Sequence, residues 1–126
     1  LYALCKSPTE EYVAAGFCNS WRSNLIVKRN PTNGNNIWNE CIIGEMSVAG
    51  VYDITPAIGG GYYFIDERSN LTKVDEDGQV IFTESVQGNL SVIELENGDI
   101  VVGGGNAFLD GGYGGSATIT RMSFSN

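Results

Sequence analysis

Histidine is absent from this sequence, and its 126 residues include only 3 prolines and 7 lysines and arginines together. Histidine is the commonest general base, the usual partner of a serine or cysteine nucleophile, and the commonest ligand of transition metals. We therefore expect no metal and no cofactor. Because no apolar run approaches the roughly 20 residues of a membrane-spanning helix, we also expect no membrane insertion.

Positive charge is scarce, and the balance is acidic. Aspartate and glutamate number 15 against 7 lysines and arginines, which gives a net charge of −8. Such a chain repels phosphate backbones and anionic bilayers, so we expect no nucleic-acid partner. The chain begins with Leu1 rather than methionine, which fits a processed or partial chain. A removed signal peptide would agree with an extracellular or cell-surface location.

The three cysteines, Cys5, Cys18 and Cys41, all lie in the first third of the chain. Neither a dispersed disulfide framework nor a close C-x-x-C pair is present, so the pattern is not typical of a zinc site. Two interpretations stay open. The cysteines are small buried apolar residues in strands, or two of them form one disulfide and leave a free thiol.

Apolar residues occur in short runs of four to seven bounded by Gly, Asn, Asp and Ser, which is typical of β-strands. No stretch has helical periodicity. The pattern predicts eleven strands, at 2–6, 12–17, 24–29, 36–42, 51–55, 62–65, 71–74, 80–84, 91–95, 100–104 and 117–123. The length suits one domain, here 1–126.

The strands recur in three imperfect repeats, at about 1–42, 43–86 and 87–126. The segment LIVKRNPTNGNNIW in the first repeat aligns with NLTKVDEDGQVIF in the second, so that Lys28 matches Lys73 and Gly34 matches Gly78. Arg121 takes the basic position in the third. These basic residues are 45 and 48 residues apart, a period that is typical of four-stranded propeller blades.

The second repeat resembles the blades of secreted β-propeller repeat families, which include quinoprotein-like and related bacterial repeats. In those blades an Asp-x-x-Gly turn joins the last two strands and an aromatic follows the glycine by four, as Asp75, Gly78 and Phe82 do here. The resemblance implies an all-β propeller of about three four-stranded antiparallel blades, the last lacking a strand. The cofactor ligands of enzymatic quinoproteins have no counterpart that can be placed in this chain.

Three blades are too few for a closed ring, which has about 4 to 8. We therefore expect either a homo-oligomer or a segment of a longer propeller chain, because uncovered blade faces and unpaired edges promote aggregation.

The acidic stretch DEDG at residues 75–78 invites a calcium-loop interpretation. Asp75 and Asp77 fit the first and third positions of such a loop, but Gln79 and Ile81 follow where further oxygen ligands are needed. The sequence therefore predicts a tight turn, in which aspartate accepts hydrogen bonds from backbone amides and glycine supplies a positive φ.

Candidate ligand-binding residues lie in the polar loops between the second and third strands of each repeat. If the repeats align, these loops share one end of the blades, and aromatic groups beside Asp, Asn and Arg suit glycans or peptides. The candidates are Trp21, Arg22, Asp66, Glu67, Arg68, Asp110 and Tyr113. The alternative is that these are solvated loops with incidental aromatics.

The sequence favours a non-catalytic propeller module that binds a glycan or a protein, or acts as a scaffold, through this loop face. One alternative is a hydrolase or lyase that uses carboxylates of a central channel, such as Asp53, Asp66 or Glu67, as acid and base. Another is a structural subunit of a larger assembly.

Overall fold

The computed structural model describes residues 3–18, 23–43, 50–106 and 116–124, and within them every regular element is a β-strand. The eleven strands are β1 (Ala3–Lys6), β2 (Tyr12–Cys18), β3 (Ser23–Arg29), β4 (Asn36–Ile43), β5 (Val51–Pro56), β6 (Tyr62–Asp66), β7 (Asn70–Val74), β8 (Val80–Ser85), β9 (Ser91–Glu94), β10 (Ile100–Asn106) and β11 (Ser116–Met122). The all-β prediction and the eleven predicted strands are confirmed, each to within two residues at either end.

The strands form three antiparallel sheets in which chain neighbours are also spatial neighbours. The first sheet has the order β1-β2-β3-β4, the second β5-β6-β7-β8, and the third β9-β10-β11. The sheets do not close on themselves. We call one end of the sheets the hairpin end, because it carries the tight turns β1–β2, β3–β4, β5–β6, β7–β8 and β9–β10. The opposite end, which carries the β6–β7 loop and the connection at 86–90, is the loop end.

The turn at 75–78 is held by its first aspartate. The amides of Asp77 and Gln79 each donate to Asp75 Oδ1 at 2.9 Å, and Gly78 has a φ of +83°. In the matching turn of the first sheet, Gly34 has a φ of +71°. Among the described residues, no group of three or more His, Cys, Asp or Glu could hold a metal ion. The amide hydrogen bonds to Asp75 and the positive φ of Gly78 confirm the predicted turn.

One apolar cluster lies between the first and second sheets. Its buried members are Val13, Ala15, Ile26, Val51, Ile54, Tyr62, Phe64 and Val74. Trp38 packs against this cluster, and its Nε1 donates to the Glu76 carbonyl at 2.8 Å. Trp38 thus joins β4 to the β7–β8 turn of the next sheet.

A second cluster lies between the second and third sheets. Its buried members are Ala57, Tyr63, Ile65, Leu71, Val92, Ile100 and Val102. Phe82 packs at its edge, with its ring centroid 5.2 Å from that of Phe124. Successive residues of β6 and β7 point to opposite faces, so they supply both clusters. The second sheet is therefore covered on both faces.

Cys5 is a free, half-buried thiol that packs against the first cluster. Burial, and then the nearby Asp53 carboxylate, raise the pKa of the Cys5 thiol to about 11. This cysteine fits the interpretation as a small apolar residue in a strand. The side chains of Cys18 and Cys41 lie outside the described residues, so the disulfide alternative stays a prediction for that pair.

Candidate functional site

The β6–β7 loop at the loop end contains three of the predicted ligand-binding residues. Asp66 is buried, and its Oδ1 accepts hydrogen bonds from the amides of Arg68 at 2.9 Å and Asn70 at 3.0 Å. Its Oδ2 also accepts one from Asn70 Nδ2 at 3.3 Å. These bonds hold the short loop, in which Ser69 takes a φ of +63°. The Asp66 carboxylate thus accepts hydrogen bonds from the backbone of its own loop.

Glu67 and Arg68 have exposed side chains at the tip of this loop. The Glu67 amide donates to the Gly50 carbonyl at 3.0 Å, which fixes the loop against the start of β5. The Tyr52 hydroxyl donates to Glu67 Oε2 at 3.3 Å. The hydrogen-bond acceptor Glu67 and the donor Arg68 therefore lie next to each other on a backbone that is fixed by hydrogen bonding.

A cleft of about 440 Å³ opens at the loop end between the second and third sheets. It is lined by Glu67, Arg68, Ser69, Val86, Gln87, Gly88, Asn89, Gly105 and Thr118. The structure thus brings Glu67 and Arg68 into a common cleft. The other four predicted residues, Trp21, Arg22, Asp110 and Tyr113, lie outside the described residues.

The far wall of this cleft is built by the connection between β8 and β9. Asn89 Nδ2 donates to the Glu67 carbonyl at 3.4 Å, and Asn89 Oδ1 accepts from the Gly105 amide at 3.4 Å. The Thr118 hydroxyl donates to the Gln87 carbonyl at 3.4 Å. Asn89 therefore links the β6–β7 loop to the end of β10 and fixes the width of the cleft.

Sequence reasoning missed the β8–β9 connection as part of the site. Gln87 and Asn89 lie about twenty positions after the predicted loop residues and belong to no aromatic or charged motif. The signal was in the topology: in a four-stranded antiparallel sheet, the loop after the second strand and the connection after the fourth emerge at the same end. A polar stretch in that connection can therefore be paired with the loop.

A second cleft, of about 620 Å³, lies at the hairpin end between the same two sheets. Its lining mixes apolar and polar side chains and includes the carboxylates of Glu84, Glu94 and Glu96, with Lys73 Nζ 5.1 Å from the centroid of the Tyr63 ring. Glu94 Oε2 accepts a hydrogen bond from the Ile58 amide at 2.6 Å. This carboxylate therefore joins the β5–β6 turn to β9.

Asp99, on the wall of the same cleft, is enclosed by donors. The Ser123 hydroxyl donates to its Oδ1 at 2.6 Å, and Arg121 Nη2 lies 2.7 Å from its Oδ2. These hydrogen bonds, first from Ser123 and then from Arg121, lower the pKa of Asp99 below its ordinary value. The carboxylate is ionised at neutral pH and holds the end of β11 against the β9–β10 turn.

Lys28 is buried between the first and second sheets near the hairpin end. Its Nζ lies 3.9 Å from Glu11 Oε1 and 3.8 Å from Glu76 Oε2, and 5.9 Å from the centroid of the Tyr62 ring. Burial raises the pKa of the Tyr62 hydroxyl. Lys28 thus joins a carboxylate of its own sheet to one of the next, which is a packing arrangement.

A scan against models of known protein families gives no match, and a search of curated proteins finds no similar chain. The part of the chain that the structure describes contains no helix long and apolar enough to cross a membrane. The sheets and clefts themselves are therefore the guide to function.

Proposed function

We propose that this chain is a β-propeller segment that acts as a non-catalytic binding module, with a glycan site at its loop end. The three sheets would be consecutive blades, with β1, β5 and β9 as their first strands. The observation that carries the binding proposal is the 440 Å³ cleft, which places Glu67 and Arg68 opposite the β8–β9 connection. An extracellular or cell-surface location agrees with such a ligand.

The registers of the three sheets support the blade arrangement. Across the pair formed by the second and third strands, each sheet sets a basic residue opposite an apolar one: Lys28 opposite Val13, Lys73 opposite Tyr63, and Arg121 opposite Val101. The turn between the first two strands has the same pair of backbone hydrogen bonds in every sheet, with a positive φ at Glu10, Gly60 and Gly98. Three sheets built to one register are what propeller blades require.

The chemistry of the loop-end cleft supports a glycan rather than an anionic ligand. Sugar hydroxyls both donate and accept hydrogen bonds, and the cleft offers a carboxylate from Glu67, a guanidinium from Arg68 and a hydroxyl from Thr118. The net charge of −8 repels phosphate and sulfate groups. A neutral or basic glycan therefore fits the cleft best.

The environment of the inner carboxylates supports a non-catalytic function. Asp53 Oδ2 accepts hydrogen bonds from the Val92 amide at 2.8 Å and from Ser91 Oγ at 3.1 Å, so it ties β5 to β9. Asp66 holds the β6–β7 loop in the same way. Two of the three carboxylates named for a hydrolase or lyase, Asp53 and Asp66, thus have backbone partners, which favours a structural part for each.

Glycan-array screening of the wild-type chain, followed by calorimetry with a sugar that binds, tests the proposal. We expect Arg68→Ala and Glu67→Gln each to weaken binding about tenfold or more, because each removes one charge-assisted hydrogen bond worth roughly 1.5–3 kcal/mol. Lys73→Ala, in the other cleft, is the matched control and is expected to leave the affinity unchanged.

Two outcomes would contradict the proposal. Failure of the folded chain to bind any sugar on the array would remove the glycan function. Loss of binding in Lys73→Ala, with Arg68→Ala unaffected, would move the site from the loop end to the hairpin end.

A further inference from the structure

The two sheet-to-sheet contacts among the described residues are built in the same way. We name the face of a sheet that points to the next sheet along the chain its forward face, and the opposite face its backward face. The forward face of the first sheet carries Val13, Ala15, Ile26, Lys28 and Trp38, and that of the second carries Tyr63, Ile65, Leu71, Lys73 and Phe82. Each forward face packs on the backward face of the following sheet.

The forward face of the third sheet has the same pattern without a described partner. The pairing of Gly103 with Ile119 corresponds to that of Ala15 with Ile26 and of Ile65 with Leu71. Ile26 and Leu71 are 0% exposed, whereas Ile119 is 83% exposed. An isoleucine thus stands at a position that the other two sheets bury completely.

The backward face of the first sheet shows the complementary departure. Leu4 holds the register position of Ile54 and Val92, which are 4% and 1% exposed, yet Leu4 is 67% exposed. Tyr12, at the position of the fully buried Tyr62, is 47% exposed. The two terminal faces therefore expose apolar side chains at positions whose equivalents between the sheets are buried.

We propose that the forward face of the third sheet packs on the backward face of the first sheet of a second copy of this chain. The exposed side chains are placed to meet, because their equivalents lie together in the two buried clusters. Ile26 and Ile54 belong to one buried cluster, and Leu71 and Val92 belong to the other. Ile119 of one copy and Leu4 of the second copy would form the same contact a third time.

A pair of chains agrees with the number of sheets that the structure describes. Repeated forward-to-backward contacts generate a ring when the rotation closes and a filament when it does not. Closed propellers have about 4 to 8 blades, and two copies of these three sheets would supply six. This inference rests on the proposed blade arrangement, and it adds the surface and the partner that complete it.

The mass of the purified chain in solution, measured by light scattering coupled to gel filtration, tests the pair. We expect the wild-type chain to have twice its single-chain mass. Ile119→Arg and Leu4→Arg are each expected to halve that mass, because each places a charge in the apolar contact. Circular dichroism should stay unchanged, since both side chains are exposed within one chain.

Ile58→Arg is the matched control, because Ile58 is 65% exposed in the β5–β6 turn and belongs to neither terminal face. It should keep the mass of the pair. A single-chain mass of the wild type, a mass of three or more chains, or an unchanged mass in Ile119→Arg would overturn the inference. Glycan binding tests the loop end independently of the mass. If the wild-type chain is a monomer and Arg68→Ala still loses glycan binding, the proposed function stands.

Discussion

At the scale of single residues, several carboxylates of this acidic chain serve the backbone and its turns. Asp53, Asp66 and Asp75 each accept hydrogen bonds from main-chain amides. Glu11 accepts from the hydroxyls of Ser7, at 2.5 Å, and Thr9. Those two hydrogen bonds lower the pKa of Glu11 to about 2, with further contributions from a backbone hydrogen bond and from Lys28.

Removal of the Ser7 hydroxyl should make the ionised form of the Glu11 carboxyl group less favourable. In Ser7→Ala we expect the pKa of Glu11 to rise from about 2 towards its ordinary value of 4.5. Because the folded-state pKa is the lower one, the contribution of Glu11 to stability is present above the unfolded value and is lost as the pH falls towards about 2. Titration of the Glu11 carboxyl carbon by NMR measures the shift.

Ser123→Ala, which removes the equivalent hydroxyl from Asp99, is the control and should leave the titration of Glu11 where it was. The explanation would be wrong if Glu11 titrated near 2 in both variants.

Little of this residue chemistry could be predicted from the sequence. The turn at Asp75 was accessible because its partners lie two and four residues away along the chain. The partners of Asp53 are the Ser91 hydroxyl and the Val92 amide, on a strand of another sheet. No local pattern marks such a pairing, so the sequence presents Asp53 as a catalytic candidate and gives no sign that β9 lies beside β5.

At the scale of elements, the hairpin turns carry some of the specific contacts between neighbouring sheets. Gly78 illustrates this, because a Cβ at this position would lie 2.9 Å from Trp38 Cζ3 of the preceding sheet. Gly34 occupies the same position of the matching turn, with a similar φ, and a Cβ there would meet nothing within 4 Å. Substitutions at these two glycines therefore distinguish the cost of backbone strain from the cost of a steric contact.

We expect Gly34→Ala to lower the free energy of unfolding by about 1–2 kcal/mol, the usual penalty of a left-handed conformation. Gly78→Ala should cost a further ~1–3 kcal/mol, because the added methyl overpacks the contact with Trp38. Urea unfolding followed by tryptophan fluorescence gives both values. Equal losses in the two variants would show that the turn does not press on Trp38.

Strand positions and turn types could be predicted from the sequence at this scale, whereas the second wall of the candidate site could not. Short apolar runs and turn residues are local signals, and they gave all eleven strands. Gln87 and Asn89 reach the cleft because β8 and β9 belong to adjacent sheets. That contact depends on how two sheets pack against each other. The periodicity of apolar residues within either sheet does not predict this packing.

At the scale of the whole molecule, the second sheet is the common support. Phe64 lies in the cluster shared with the first sheet, and Leu71 lies in the cluster shared with the third. Both are fully buried, on opposite faces of the same four strands. Loss of packing on either face should therefore weaken all three sheets together.

Phe64→Ala should lower the free energy of unfolding by about 3–5 kcal/mol and Leu71→Ala by about 2–5 kcal/mol. In both variants we expect one cooperative transition, seen alike by circular dichroism and by fluorescence, because the middle sheet is shared. Ile58→Ala, at an exposed position, should change stability by no more than about 0.5 kcal/mol. Separate transitions for the first and third sheets would contradict this view.

The third sheet has only three strands, so β11 is its outer edge among the described residues. Along such an edge every second backbone amide faces outward without a ladder partner, while the amides of β6 and β7 lie between paired strands. Exchange of amide hydrogens with deuterium should therefore be faster along β11, as along the edge strands β4 and β8, than in β6 and β7. The order in which the strands exchange would then follow their place in the sheets rather than their place along the chain.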